Sequence, residues 1–100
     1  MSNKLNIALV QSDLFWNEPL ANKNRFDALL TSVRGADVIV LPEMFTTAFY
    51  MEGNAESMDG ASVQWMLQKA KLLNAAVCGS LIIQENSQQY NRFVWVTPNG

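Results

Sequence analysis

The hydrophobic pattern of the first 41 residues predicts a strand, a helix and a second strand. Leu5 to Val10 is a short apolar run that ends in polar residues, as a buried strand does. Asn17-Glu18-Pro19 is typical of a helix start, and Gly35 ends the helical repeat that follows. Residues 37–41 are rich in β-branched side chains and predict the second strand. The apolar face of the helix comprises Phe26, Leu29, Leu30 and Val33.

The rest of the chain predicts a loop over residues 46–60, then a second helix and two more strands. The helix ends near Asn74, and residues 75–83 form an apolar third strand. Residues 85–89 are polar and turn-like, residues 90–96 alternate as a half-buried strand does, and residues 97–100 suit a hairpin turn. The apolar face of the second helix comprises Val63, Met66, Leu67, Ala70 and Leu73. The order β-α-β-α-β-β predicts an α/β layer with parallel pairing first and a hairpin at the end.

Composition limits the classes of function. A chain of 100 residues is at most one small domain, and its 49% hydrophobic and 16% charged residues are typical of a protein whose faces are covered by other structure. The net charge is -2, and the seven Lys and Arg residues are scattered, which argues against nucleic acid or anionic lipid as a partner. No apolar stretch is long enough to span a membrane, and no signal peptide is recognised, so we expect a cytoplasmic protein.

The chain contains no histidine and one cysteine. This excludes Ser-His-Asp and Cys-His arrangements, and zinc sites of the usual ligand types, within these 100 residues. The cysteine, Cys78, lies in an apolar run, where a free thiol is expected to act as a small buried hydrophobe. Ser80 has no histidine to activate it and is rejected as a nucleophile. Asn91 and Arg92 are expected to brace loops through hydrogen bonds.

Glu43 is the principal functional candidate. It follows Pro42, which ends strand pairing because proline has no N–H, so the carboxylate is expected just past the carboxyl end of the second strand. Sites form at such strand ends in open α/β sheets, which makes Glu43 a candidate general base. The alternative is a structural role, in which the Glu43 carboxylate caps a turn or pairs with an arginine. Met44, Phe45 and Phe49 are the candidate substrate-binding surface.

The stretch Leu41-Pro42-Glu43-Met44-Phe45-Thr46-Thr47 resembles the nitrilase (carbon–nitrogen hydrolase) superfamily, in particular its omega-amidase branch. Similar motifs are the strand that ends in Gln11, the segment Trp16 to Asn22, Gly79-Ser80 and Tyr90-Asn91-Arg92-Phe93. The resemblance implies an α-β-β-α sandwich that hydrolyses non-peptide C–N bonds with a Glu-Lys-Cys triad. It also implies a homodimer that needs no metal or organic cofactor.

In this resemblance Glu43 matches the triad glutamate, whereas the lysine and cysteine lie beyond Gly100. Residues 1–100 are therefore expected to be the N-terminal portion of a single, truncated hydrolase domain, inactive alone. The implied partner is a small-molecule amide, a dicarboxylic acid monoamide similar to 2-oxoglutaramate. Two alternatives stay open: a Mg-dependent phosphodiesterase with Glu43 as metal ligand, and a non-catalytic binding module. Pro42 and the few basic residues argue against the phosphodiesterase.

Overall fold

A computed structural model describes residues 4–50 and 54–100 of the chain. The six elements follow the predicted order, and their α/β class is confirmed. The loop predicted over residues 46–60 includes residues 51–53, which lie outside the described residues. The elements are β1 (Ile7–Leu9), α1 (Pro19–Leu30), β2 (Val38–Val40), α2 (Ala61–Leu73), β3 (Ala76–Glu85) and β4 (Gln88–Val96).

The four strands form one sheet in the order β1-β2-β3-β4. The pairs β1-β2 and β2-β3 are parallel, because a helix crosses over between their strands, and β3-β4 is antiparallel. The hairpin turn is tighter than the sequence predicted. Asn86 and Ser87 alone form it, both with positive φ (53° and 67°), and Glu85 already pairs with Gln88. Two residues in this conformation match the twist of the flanking strands.

The core lies between one face of the sheet and the two helices. Asn22, Phe26 and Leu30 are the buried residues of α1, and their i, i+4, i+8 spacing forms one row along the helix. Leu29, predicted on this face, is 41% exposed instead, because the row is centred on Phe26. Helix α2 adds Trp65, whose ring centroid lies 6.5 Å from that of Phe26. The helices therefore shield the sheet on one side.

Both ends of α2 have identifiable local causes. The carboxylate of Glu56 accepts hydrogen bonds from the Ser62 backbone N–H (2.8 Å) and from the Ser62 hydroxyl (2.5 Å), which satisfies a donor in the first helical turn. At the other end Asn74 adopts the left-handed conformation (φ 50°), so the predicted helix end is confirmed. Within the described ranges, neither helix has the length and apolar character needed to cross a bilayer.

The opposite face of the sheet is apolar and open. The register aligns Leu9 with Val40, Val40 with Cys78, and Cys78 with Trp95, so these residues form one row across all four strands. At the two edges of the sheet this face is exposed, with Leu9 71% and Phe93 65% accessible. Exposed apolar faces of this kind are typical of interaction surfaces and ligand-binding grooves. Glu43 lies beside it.

Candidate active site

The segment after β2 continues along β3 despite the proline. Leu41 donates its N–H to the carbonyl of Cys78 (2.8 Å), and Phe45 donates its N–H to the carbonyl of Ser80 (3.3 Å). Pro42, which has no N–H, lies between these two anchors. Glu43 therefore follows the carboxyl end of β2 by three residues, at the position that the sequence predicted.

A sharp turn directly follows Glu43. Met44 has a positive φ of 50°, a conformation that non-glycine residues adopt uncommonly. Its buried backbone N–H donates to the Ser80 hydroxyl at 2.8 Å, and its carbonyl accepts from the N–H of Ala48 at 2.9 Å. These bonds satisfy the backbone groups of the turn, so its uncommon geometry is held by β3.

The Glu43 carboxylate contacts β4. Oε2 of Glu43 accepts a 2.8 Å hydrogen bond from Nδ2 of Asn91. Asn91 lies opposite Ile82 in the β3-β4 ladder, so the contact joins two parts of the chain that are 48 residues apart. The two side chains share a depression of about 350 Å³ on the open face. Its lining comprises Leu41, Glu43, Gly79, Ser80, Asn91 and Phe93.

Gly79 allows the Glu43 segment to pack closely on β3. A Cβ atom at this position would lie 3.0 Å from the Cβ of Leu41 and 3.2 Å from Cδ1 of Phe45. These distances are shorter than ordinary carbon–carbon contacts, and both neighbours are buried. The missing side chain therefore brings the residues on both sides of Glu43 against the strand.

Asn22 is a buried polar residue that the sequence analysis named only as the end of the Trp16 to Asn22 segment. Its Oδ1 accepts the N–H of Phe15 (2.7 Å), and its Nδ2 donates to the carbonyls of Phe15 and Thr46 (2.8 Å each). It thereby links the segment after β1 to the segment that carries Glu43. The available signal was its spacing, four residues before Phe26 and eight before Leu30 on the buried row of α1.

The three predicted substrate-binding residues lie apart from the depression. Phe45 is fully buried, with its ring centroid 5.8 Å from that of Phe26 and 5.6 Å from that of Trp65. Met44 is also buried, whereas Phe49 is 63% exposed. The side chains of Met44 and Phe45 therefore have a packing role here, and substrate contact by any of the three stays a prediction.

No arginine among the described residues pairs with Glu43. Ion pairs of the described residues join Lys69 to Asp27 (2.7 Å) and Arg92 to Glu85 (2.9 Å). The arginine-paired carboxylate considered in the sequence analysis is therefore not what the structure shows for Glu43. The same part of the chain contains no cluster of three or more His, Cys, Asp or Glu side chains that would hold a metal ion.

Cys78 is buried in the row that crosses the sheet, as the sequence predicted. Burial raises the pKa of its thiol above the ordinary value, because the surroundings disfavour the thiolate. A protonated, inaccessible thiol is a poor nucleophile. The interpretation of Cys78 as a small hydrophobe is confirmed.

The mixed sheet with its antiparallel hairpin, and the carboxylate after β2, define an α/β class of protein. A comparison with protein families agrees with this class. Residues 6–100 match the carbon-nitrogen hydrolase family, so the match covers most of the chain. The chain belongs to this family.

Comparisons with individual proteins agree with this family membership. The chain is 45% identical over 97 residues to the omega-amidase YafV of Escherichia coli K12, covering 96% of this chain and 38% of that protein. It is 32% identical to the 2-oxoglutaramate amidase of Bacillus subtilis, covering 88% of this chain and 36% of that protein. It therefore spans less than two fifths of the length of these curated relatives.

The fold is also similar to a solved structure. A CN-hydrolase superfamily protein from Xanthomonas campestris, crystallised with an arsenic adduct in its active site, superposes with a TM-score of 0.90 at 39% identity. The match covers 95% of this chain and 37% of that one.

Proposed function

We propose that the whole protein is an omega-amidase-type carbon–nitrogen hydrolase in which Glu43 is the general base. The observation that carries this proposal is a glutamate just past β2, on an open sheet face, in a chain of the carbon-nitrogen hydrolase family. The names of the relatives support the amidase type. Further polypeptide would supply the lysine and cysteine of a Glu-Lys-Cys triad, and the domain described here would be the N-terminal portion of the hydrolase.

In the proposed mechanism, Glu43 removes the proton from the cysteine thiol, and the thiolate attacks the amide carbon. The lysine and a backbone N–H stabilise the oxyanion. Breakdown of the tetrahedral intermediate breaks the C–N bond, and the proton held by Glu43 passes to the departing ammonia. Glu43 then takes a proton from water, which attacks the thioester and releases the carboxylic acid and the free thiol.

The proposed substrate is the terminal amide of a short dicarboxylic acid monoamide similar to 2-oxoglutaramate. Support comes from the names of the Escherichia coli and Bacillus subtilis relatives, an omega-amidase and a 2-oxoglutaramate amidase. A cytoplasmic homodimer that uses no cofactor completes the proposal and follows from the family resemblance. Met44, Phe45 and Phe49 stay candidate substrate contacts, which for the two buried residues requires rearrangement of the Glu43 segment.

The test compares Glu43→Gln with Glu18→Gln in the whole protein. Both changes replace an exposed carboxylate by an amide, and Glu18 makes no side-chain cap bond at the start of α1. Ammonia release from a glutaramate-type amide should fall by about 10² or more in Glu43→Gln, as loss of a general base does, and stay near wild type in Glu18→Gln. Near-normal turnover by Glu43→Gln contradicts the proposal.

A second measurement addresses the metal-dependent alternative. Turnover of the wild-type protein should be unchanged in excess chelator, because the proposed triad uses no metal ion. Loss of activity on chelation, restored by added Mg²⁺, would favour Glu43 as a metal ligand.

A further inference from the structure

We propose that Asn91 is a positioning residue for the Glu43 carboxylate. The proposal rests on the proposed function. The hydrogen bond from Asn91 holds the Glu43 carboxylate in the orientation in which it acts as a base. Nδ2 of Asn91 donates to Oε2 of Glu43 and so fixes the plane of the carboxylate, in which Oε1 accepts the thiol proton.

The strand that carries Asn91 is a fixed platform. Strand β4 pairs with β3 along nine consecutive residue pairs, and Asn91 lies opposite the buried Ile82 within that ladder. Farther along the same strand, Val94 and Val96 are buried in the core. The backbone of Asn91 is therefore fixed by the ladder with β3 and by the buried residues farther along β4, and its short side chain has few rotamers with which to follow a moving carboxylate.

The neighbouring polar residue cannot replace Asn91. Successive side chains of a strand point to opposite faces, so Arg92 is directed away from the side occupied by Asn91. The Arg92 guanidinium is 2.9 Å from Oε2 of Glu85 and lies over the ring of Tyr90, 5.4 Å from its centroid. Asn91 and Arg92 therefore make different contacts. The Asn91 amide contacts Glu43, and the Arg92 guanidinium contacts Glu85 at the end of β3.

A neutral donor suits a base better than a cation does. An ionised donor would put a full positive charge beside the carboxylate, which favours the carboxylate that has not yet accepted a proton. The amide of Asn91 fixes the direction of the carboxylate through a hydrogen bond and adds no charge to the site. Orientation of this kind lowers the barrier because the base and the thiol meet in the reactive geometry.

The first test replaces Asn91 in the whole protein. Asn91→Ala removes the donor, and Asn91→Asp keeps the size but puts an acceptor beside the carboxylate. We expect kcat to fall by about 10-fold to 10²-fold in both variants while KM stays within about two-fold, because the lost orientation is needed in the transition state. Gln89→Ala is the matched control. Gln89 is an exposed amide two residues earlier on the same side of β4, and its loss should leave kcat unchanged.

The second test is a double-mutant cycle with Glu43→Gln. If Asn91 acts through Glu43, Asn91→Ala in the Glu43→Gln background should cost less than about two-fold further in kcat. A full additional loss in the double variant, or a rise in KM at constant kcat, would show that Asn91 acts on the substrate and would overturn the positioning role. The positioning role is also overturned if Asn91→Ala retains wild-type kcat while Glu43→Gln does not.

The cycle also separates the two proposals. Wild-type turnover by Glu43→Gln defeats the proposed function itself, whatever Asn91→Ala does. The exposed position of Asn91 means that both of its variants should fold, and thermal unfolding within a few degrees of wild type verifies this.

Discussion

The Ser80 hydroxyl accepts the backbone N–H of Met44 at 2.8 Å, and this bond joins the middle of β3 to the turn that follows the candidate base. Both partners are buried. A serine that the sequence analysis rejected as a nucleophile therefore has a structural task next to Glu43. The task needs an acceptor oxygen, which alanine cannot provide.

Ser80→Ala should destabilise the whole protein by about 1–3 kcal/mol, because the buried N–H of Met44 loses its acceptor. Thermal or urea unfolding measures the change. Ser32→Ala is the matched control, since the Ser32 hydroxyl is exposed and bonds only the Leu29 carbonyl near the end of α1. Equal stability changes in the two variants would contradict the role given to Ser80. The kcat of Ser80→Ala should also fall, because the turn adjoins Glu43.

Asn22→Ala should cost at least about 1–3 kcal/mol of unfolding free energy, because buried backbone groups of Phe15 and Thr46 lose their partners. Asn22→Asp should also destabilise, since a carboxylate retains the bond to the Phe15 N–H but cannot donate to the two carbonyls. Asn24→Ala serves as the control. It lies exposed on the same helix, where alanine is the better helix former, so the variant should be as stable as wild type or slightly more stable.

If Asn22→Ala and Asn24→Ala have the same unfolding free energy, water replaces the lost Asn22 side chain without cost, and the prediction is contradicted. Chymotryptic cleavage near Phe15 gives an independent readout. It should be faster in Asn22→Ala, because the segment after β1 loses its link to α1.

Cys78 predicts a pH dependence of stability. Because burial raises the pKa of this thiol in the folded state, its contribution is fully present below the range in which an unfolded thiol ionises and is lost as the pH rises from that range to the raised pKa of the folded protein. From about pH 7.5 to about pH 9.5, wild type should lose more unfolding free energy than Cys78→Ala does. Parallel stability curves for the two proteins would contradict this prediction. Iodoacetamide should label Cys78 slowly in the folded protein and rapidly in denaturant.

The order and type of the elements could be predicted from sequence because they depend on local periodicity. The β-branched run before Pro42 produced β2, the helical repeats produced α1 and α2, and an αL-tolerant asparagine ended α2. The position of Glu43 beyond β2 followed from the same local rule, since proline cannot continue a ladder. The strand bounds differ from the prediction, because β1 and β2 are each three residues long, shorter than their apolar runs.

Other features were decided by contacts between residues far apart in the chain. Proximity to Glu43 suggested that Phe45 faces the site, but its ring fills the space between α1, α2 and the sheet, where burial of an aromatic side chain gains most. Likewise Leu29 has a helical spacing equal to that of its buried neighbours and is nevertheless exposed.

The sequence by itself therefore determined which segments are helices and strands, and that a carboxylate follows β2, since these depend on neighbours within one or two turns of chain. Only the tertiary structure decided that Asn91 contacts Glu43 and that Asn22 joins the segments on either side of α1. Such pairings depend on the sheet register and on side-chain packing, and no spacing along the chain encodes them.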